Sequence, residues 1–141
     1  MLPAVALGMT MGIATATDLR SGLIPNWLTG LAALAFLALA ALGLNQAVSL
    51  TTAIVWGCIG GGTLMGLAIV TQGKAIGMGD VKLAAVMGLA LGSAVVIALV
   101  AAFVLGGVVA LVSRQREVRF APMLAVGTVI GILVAQGQGR T

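Results

Sequence analysis

The chain has no histidine, no tyrosine, one cysteine, three prolines and three acidic residues in a length of 141. Each shortage closes a route. Without histidine there is neither histidine-based catalysis nor a histidine-ligated metal. A single cysteine excludes an intrachain disulfide and any cysteine-rich zinc site. Cys58 lies in an apolar stretch, where a free thiol behaves as a small hydrophobe. Charged residues are only 7% of the chain, against roughly a quarter in soluble domains. A soluble fold of this size could not solvate its surface. No basic run with interleaved aromatics exists, so nothing points to nucleic-acid binding.

What fills the chain is apolar: 61% of it. The class expected is an all-α, polytopic membrane protein, a single domain over residues 1–141 with short loops and lipid as its surroundings. Ala14-Thr15-Ala16 has the shape of a signal-peptide cleavage site. No positive residue precedes the apolar run there, so residues 1–16 read as a first span instead. Six apolar segments follow one another: Leu2 to Thr17, Trp27 to Leu44, Leu50 to Thr71, Val81 to Gly92, Ala94 to Val112 and Phe120 to Gln136. Backbone groups in lipid must be satisfied internally, so these are predicted helices. Weak alternation and abundant Ala and Leu argue against a barrel.

The net charge of +4 is spread over the connectors and reads as topology. Arg20, Lys74, Lys82, Arg114, Arg116 and Arg119 fall in or beside the first, third and fifth connectors. The second and fourth, around Asn45-Gln46 and Gly92-Ser93, carry no charge, and Arg140 alone falls on the other face. The positive-inside rule then makes the odd connectors cytoplasmic and places both termini outside. Val81 to Gly92 is short for a span, which predicts either a partial crossing or a start below the surface that sinks Asp80. Gly57/Gly61, Gly62/Gly66, Gly88/Gly92 and Gly127/Gly131 have the spacing of close helix packing. Met78 and Met87 read as packing fill, and Trp27 as an interface anchor.

Against this background two aspartates stand out, because a carboxylate at a membrane helix end is costly to keep. Asp18 closes the first span, followed by Ile24-Pro25-Asn26. Pro25 stops the helix and biases Ile24 toward an extended shape. Asn26 is predicted to cap the next helix. The plain reading of Asp18 is an interfacial acid paired with Arg20. Asp80 follows Gly77-Met78-Gly79, where the plain reading is a helix N-cap after a flexible turn. Glycine also lets an extended peptide approach a carboxylate without Cβ obstruction. Both aspartates fall on the cytoplasmic side, which suggests paired acid–base chemistry. The helix dipole and Lys82 favour ionised Asp80, so Asp18 is expected to hold a shared proton more of the time. The third acid, Glu117, sits among arginines and reads as a charge-balanced loop residue.

Together, Asp18-Leu19-Arg20-Ser21-Gly22-Leu23-Ile24-Pro25-Asn26 and Gly77-Met78-Gly79-Asp80-Val81-Lys82 resemble the two motifs of the type IV prepilin peptidase family, intramembrane aspartyl proteases of the GxGD type. Phe120-Ala121-Pro122-Met123 is similar to a degenerate form of that family's entry to its last helix. The resemblance implies removal of a short basic leader from prepilins or pseudopilins at the cytoplasmic face of the bacterial inner membrane. It implies Asp18 and Asp80 as catalytic dyad, with no metal or other cofactor. Gly77 and Gly79 would hold substrate backbone, and Pro25 and Asn26 would shape the site. Lys82 has two readings: it tunes Asp80, or it anchors at headgroups. Only about nine residues join the first two spans, and paired cysteines are missing. The resemblance is thus to a short, peptidase-only form without N-methyltransferase activity, of the kind associated with tight-adherence pili. Two other readings remain at this point: a small proton- or cation-coupled transporter using the same two acids, and a non-catalytic assembly subunit. Against the transporter, both acids lie at one end of the bundle and not at the midplane.

Overall fold

The computed structural model describes residues 2–45, 48–73, 76–113 and 120–138. Among them are six α-helices: α1 (Leu2–Ser21), α2 (Asn26–Ala41), α3 (Leu50–Val70), α4 (Met78–Leu91), α5 (Val95–Ser113) and α6 (Ala121–Gln138). A 3-10 turn, Gly92–Ala94, joins α4 to α5. The all-helical class is as expected, and no strand occurs among the described residues. Gln46, Lys74, Arg114, Arg116, Glu117, Arg119 and Arg140, for which the sequence sets expectations, lie outside the described residues.

Local chemistry sets the helix ends. α1 runs one turn further than the sequence suggested, through Asp18 to Ser21. Its threonine and serine side chains bond back along the helix, with Thr17 Oγ1 donating to Ala14 O at 2.9 Å and Ser21 Oγ to Thr17 O at 2.8 Å. Gly22 then stops it with φ +66, its N–H donating to Asp18 O at 2.8 Å. Ser49 caps α3 by accepting the Thr52 N–H at 3.3 Å. Asn45, buried in the turn before α3, donates its side-chain amide to Ala90 O at 3.2 Å near the end of α4.

The glycine pairs divide into contact-makers and bystanders. α3 and α4 form the most extensive helix pair. At Gly88 an added Cβ would overlap the Trp56 carbonyl, and at Gly60 it would lie 2.6 Å from Ala84 O. Gly57 and Gly61 face Leu89 and Ala85 in the same seam. Gly127 and Gly131 do the same for α5 and α6, against Ala98. Backbone meets backbone in these pairs, the membrane way of gaining dispersion contacts. Gly62 and Gly66 have nothing within 4 Å, so their helix-packing reading is wrong. They share α3 with Gly57 and Gly61 but point away from α4. Of the Gly88/Gly92 pair, Gly88 lies in the seam, whereas Gly92 makes its close contact from a turn. With φ +57 it faces Val48 and Thr52, whereas Val95, three residues on, lies beside Gly60, two turns deeper. The chain doubles back there, and only glycine takes this conformation without strain.

Asn45 and Val48 before α3 therefore meet the end of α4, while the opposite end gathers the α1–α2 turn and the start of α4. α1 packs chiefly on α6, and α2 on α4. The core is small and tight: Leu7, Phe36, Leu64, Leu83, Met87 and Leu124 are fully buried. Large apolar side chains also cover the outside, including Leu2, Met9, Leu34, Val104 and Leu133. Among the described residues three stretches are long and apolar enough to cross a membrane: Leu2–Ser21, Leu50–Val70 and Met78–Val109, the last comprising α4 and α5 on either side of the turn at Gly92. Asn26–Ala41 and Ala121–Gly137 are shorter apolar helices. On the outer face an open apolar groove of about 360 Å³ runs past Leu37, Ile54, Cys58, Ala85 and Leu89.

Candidate active site

The site lies where the α1–α2 turn meets the start of α4. Asp18 is in the last turn of α1 and half-buried. Asp80 is the third residue of α4 and only 9% exposed. It is not the N-cap, which is Gly77 with extended φ −78 and ψ 154. Asp80 Oδ2 accepts the Gly77 N–H at 3.3 Å, and the Asp80 N–H donates to Gly77 O at 3.1 Å. These two bonds fix the carboxylate over the first turn, where the orphan N–H groups of the helix point. The Asp18 and Asp80 side chains lie close enough for their charges to act on one another. Two motifs far apart in sequence thus bring two carboxylates within electrostatic reach of each other. Dipoles alone do not divide the roles between them, because Asp80 is also the more deeply buried.

The turn between α1 and α2 is held by features that sequence reasoning read differently. Asn26 makes no side-chain cap; the cap residue is Pro25, at φ −62 and ψ 130. The Pro25 carbonyl takes the N–H groups of Leu28 and Thr29 at 3.1 and 3.4 Å. The Asn26 side chain is used across the bundle, where its Oδ1 accepts from Lys82 Nζ at 2.6 Å. Neither reading of Lys82 anticipated this partner. Proline at the cap gives the helix its start, so the Asn26 amide is free to reach another helix.

Ile24 is the residue that sequence reasoning missed. Its side chain covers Gly79: a Cβ placed there would lie 2.9 Å from Ile24 Cδ1, 3.0 Å from its Cβ and 3.2 Å from its Cγ1. The signal available was slight: an isoleucine before proline, beside a Leu23 that is equally apolar but exposed. Gly77 is open, with only Asp80 Oδ2 near, at 3.6 Å. The start of α6 is also as its sequence suggests, with Pro122 in the first turn and the Phe120 ring 5.1 Å from that of Phe103.

A helical bundle with apolar outer faces and two neighbouring carboxylates at one end has the form of a membrane-embedded peptidase. The model of the type IV leader peptidase family matches residues 5–111, a stretch that includes both aspartate motifs. The chain belongs to the type IV leader peptidase family. No curated protein and no solved structure matches it.

Proposed function

We propose that the protein is an intramembrane aspartyl endopeptidase that removes the short basic leader of type IV prepilins or pseudopilins. The observation that carries this reading is the meeting of Asp18 and Asp80 at one end of the bundle, near enough for charge to be felt. Aspartyl proteolysis uses one carboxylate ionised and the other protonated. The ionised one takes a proton from water, whose oxygen attacks the scissile carbonyl carbon. The protonated one donates to the carbonyl oxygen. The tetrahedral intermediate then collapses, the C–N bond breaks, and a carboxylic proton passes to the leaving amine. Supplying the reaction with both forms needs no group beyond these side chains and water.

Gly77, exposed at the edge of Asp80, is where a substrate backbone would come closest. The six helices cross the bacterial inner membrane with both termini outside, the arginine- and lysine-bearing connectors inside and the dyad facing the cytoplasm. The short basic leader then lies in water, beside the acids, and the hydrophobic segment after the cleavage point lies in lipid. The test is co-expression with a prepilin and a gel that reads leader removal. Wild type and Glu117→Ala are expected to cleave, whereas Asp18→Ala and Asp80→Ala accumulate in the membrane without cleaving. Cleavage by either aspartate variant would remove the dyad.

A further inference from the structure

We infer that Ile24 is a positioning residue, seated in the recess left by Gly79, that sets the separation between the Asp18-bearing and Asp80-bearing helices. The inference rests on the peptidase reading above for its consequence, but not for its geometry. Ile24 is held from one side by Pro25, whose ring fixes the backbone that follows. On the other side it meets Gly79, the residue directly before Asp80. Three of its carbons lie at 2.9–3.2 Å from where a Gly79 side chain would start, so the recess has no room for a methyl group. One of the three, Cβ, is bonded to the main chain and cannot swing aside. Two residues on from Ile24 and three on from Gly79, Asn26 Oδ1 accepts from Lys82 Nζ at 2.6 Å. The two motifs are therefore joined at two points: one by shape, buried against glycine, and one by a charged hydrogen bond at the surface.

Asp18 sits six residues before Ile24, in the last turn of α1, and Asp80 immediately after Gly79. A turn pushed off Gly79 carries the end of α1 with it, because only Gly22 and Leu23 lie between Ser21 and Ile24. Misplacement of catalytic groups by an ångström lowers rate on the order of 100-fold. The glycine before Asp80 thus serves the protein's own loop: it is small so that Ile24 fits.

The test uses the full chain in lipid nanodiscs with Cys58→Ser, Ser21→Cys and Met78→Cys. Positions 21 and 78 are exposed and take nitroxide labels, whose separation is read by electron paramagnetic resonance. Prepilin cleavage is read in parallel on the unlabelled, otherwise native chain. Gly79→Ala is expected to lengthen or broaden the label separation and to slow cleavage on the order of 100-fold. Adding Ile24→Ala removes Cγ1 and Cδ1, leaving one contact that yields by a few tenths of an ångström. That double variant is expected to restore the narrow separation and about tenfold of the lost rate. Ile24→Phe, which overfills the recess from the exposed turn and leaves α4 untouched, is expected to broaden the separation as Gly79→Ala does. It carries the test if Gly79→Ala does not accumulate. An unchanged separation in Gly79→Ala or Ile24→Phe overturns the inference, as does a double variant no better than Gly79→Ala. If the separations behave as expected but wild type cleaves no prepilin, the positioning stands and the peptidase reading falls. If wild type cleaves and the separations do not move, the reverse holds.

Discussion

Substituting Gly88 by alanine tests whether α3 and α4 are held by backbone contact. The new Cβ would overlap the Trp56 carbonyl, with Gly57 Cα pressing from the same side. Neither is the tip of a side chain, so no rotamer change relieves the clash. The two helices must part along a seam that also includes Gly57, Gly60 and Gly61. Overpacking of a tight site costs about 3 kcal/mol at the upper end of its usual range. Alanine returns about 1 kcal/mol through helix propensity. The net loss is about 2 kcal/mol, enough to shift the folded-to-unfolded ratio about 30-fold. The internal comparison is Gly62→Ala on the same helix, where nothing lies within 4 Å. There only the propensity gain operates, about 0.5–1 kcal/mol in favour of folding. Unfolding by SDS in mixed micelles, followed by the fluorescence of Trp27 and Trp56, orders the three proteins. The order expected is Gly62→Ala, wild type, Gly88→Ala. A Gly88→Ala chain as stable as Gly62→Ala would refute the backbone seam.

Four further outcomes follow from the site and the fold. Asp80→Asn keeps an oxygen for the Gly77 N–H, so it is expected to fold as wild type yet lose prepilin cleavage on the order of 10⁴-fold in the gel assay. Lys82→Met and Asn26→Ala are expected to slow cleavage alike, and the double variant no more than either, since both remove one hydrogen bond; additive losses would show separate roles. Asn45→Ala deprives the Ala90 carbonyl of its buried donor and is expected to cost about 1–2 kcal/mol in the SDS titration, with cleavage in mild detergent preserved. Cys58 lies on the outer apolar face, where lipid and not water surrounds it in a membrane. A water-soluble maleimide is therefore expected to leave it unmodified in membranes and to label it after SDS unfolding, as mass spectrometry would record.

Much of this architecture was legible from composition and punctuation. The apolar runs could be nothing but helices in lipid, and Pro25, Gly22 and Ser49 stand at real helix ends. Both aspartate motifs were visible because acids are so scarce that each needed a reason. What escaped was tertiary. The sequence pattern ended α1 at Thr17, because hydropathy falls at Asp18; back-bonding by Thr17 and Ser21 carries the helix past it. Asn26 looks like a cap in any one-dimensional reading, and only the position of Lys82 on α4 gives it another use. Glycine spacing identified α3 as a packing helix but not its packing face. Gly57/Gly61 and Gly62/Gly66 have identical spacing, and the second pair touches nothing. The fit of Ile24 to Gly79 belongs to two motifs at once, so neither motif alone announces it.

The glycine seams have a mechanical consequence. α3 and α4 are joined backbone to backbone, and so are α5 and α6, with α1 lying chiefly on α6. Each pair resists internal sliding, because its small residues leave no side chains to rearrange. Asp18 rides with one pair and Asp80 belongs to the other. The distance between the two acids is thus governed by how the pairs are set against each other, like the gap between two jaws whose blades are each a single piece. The turn at Gly92 is the covalent link between them.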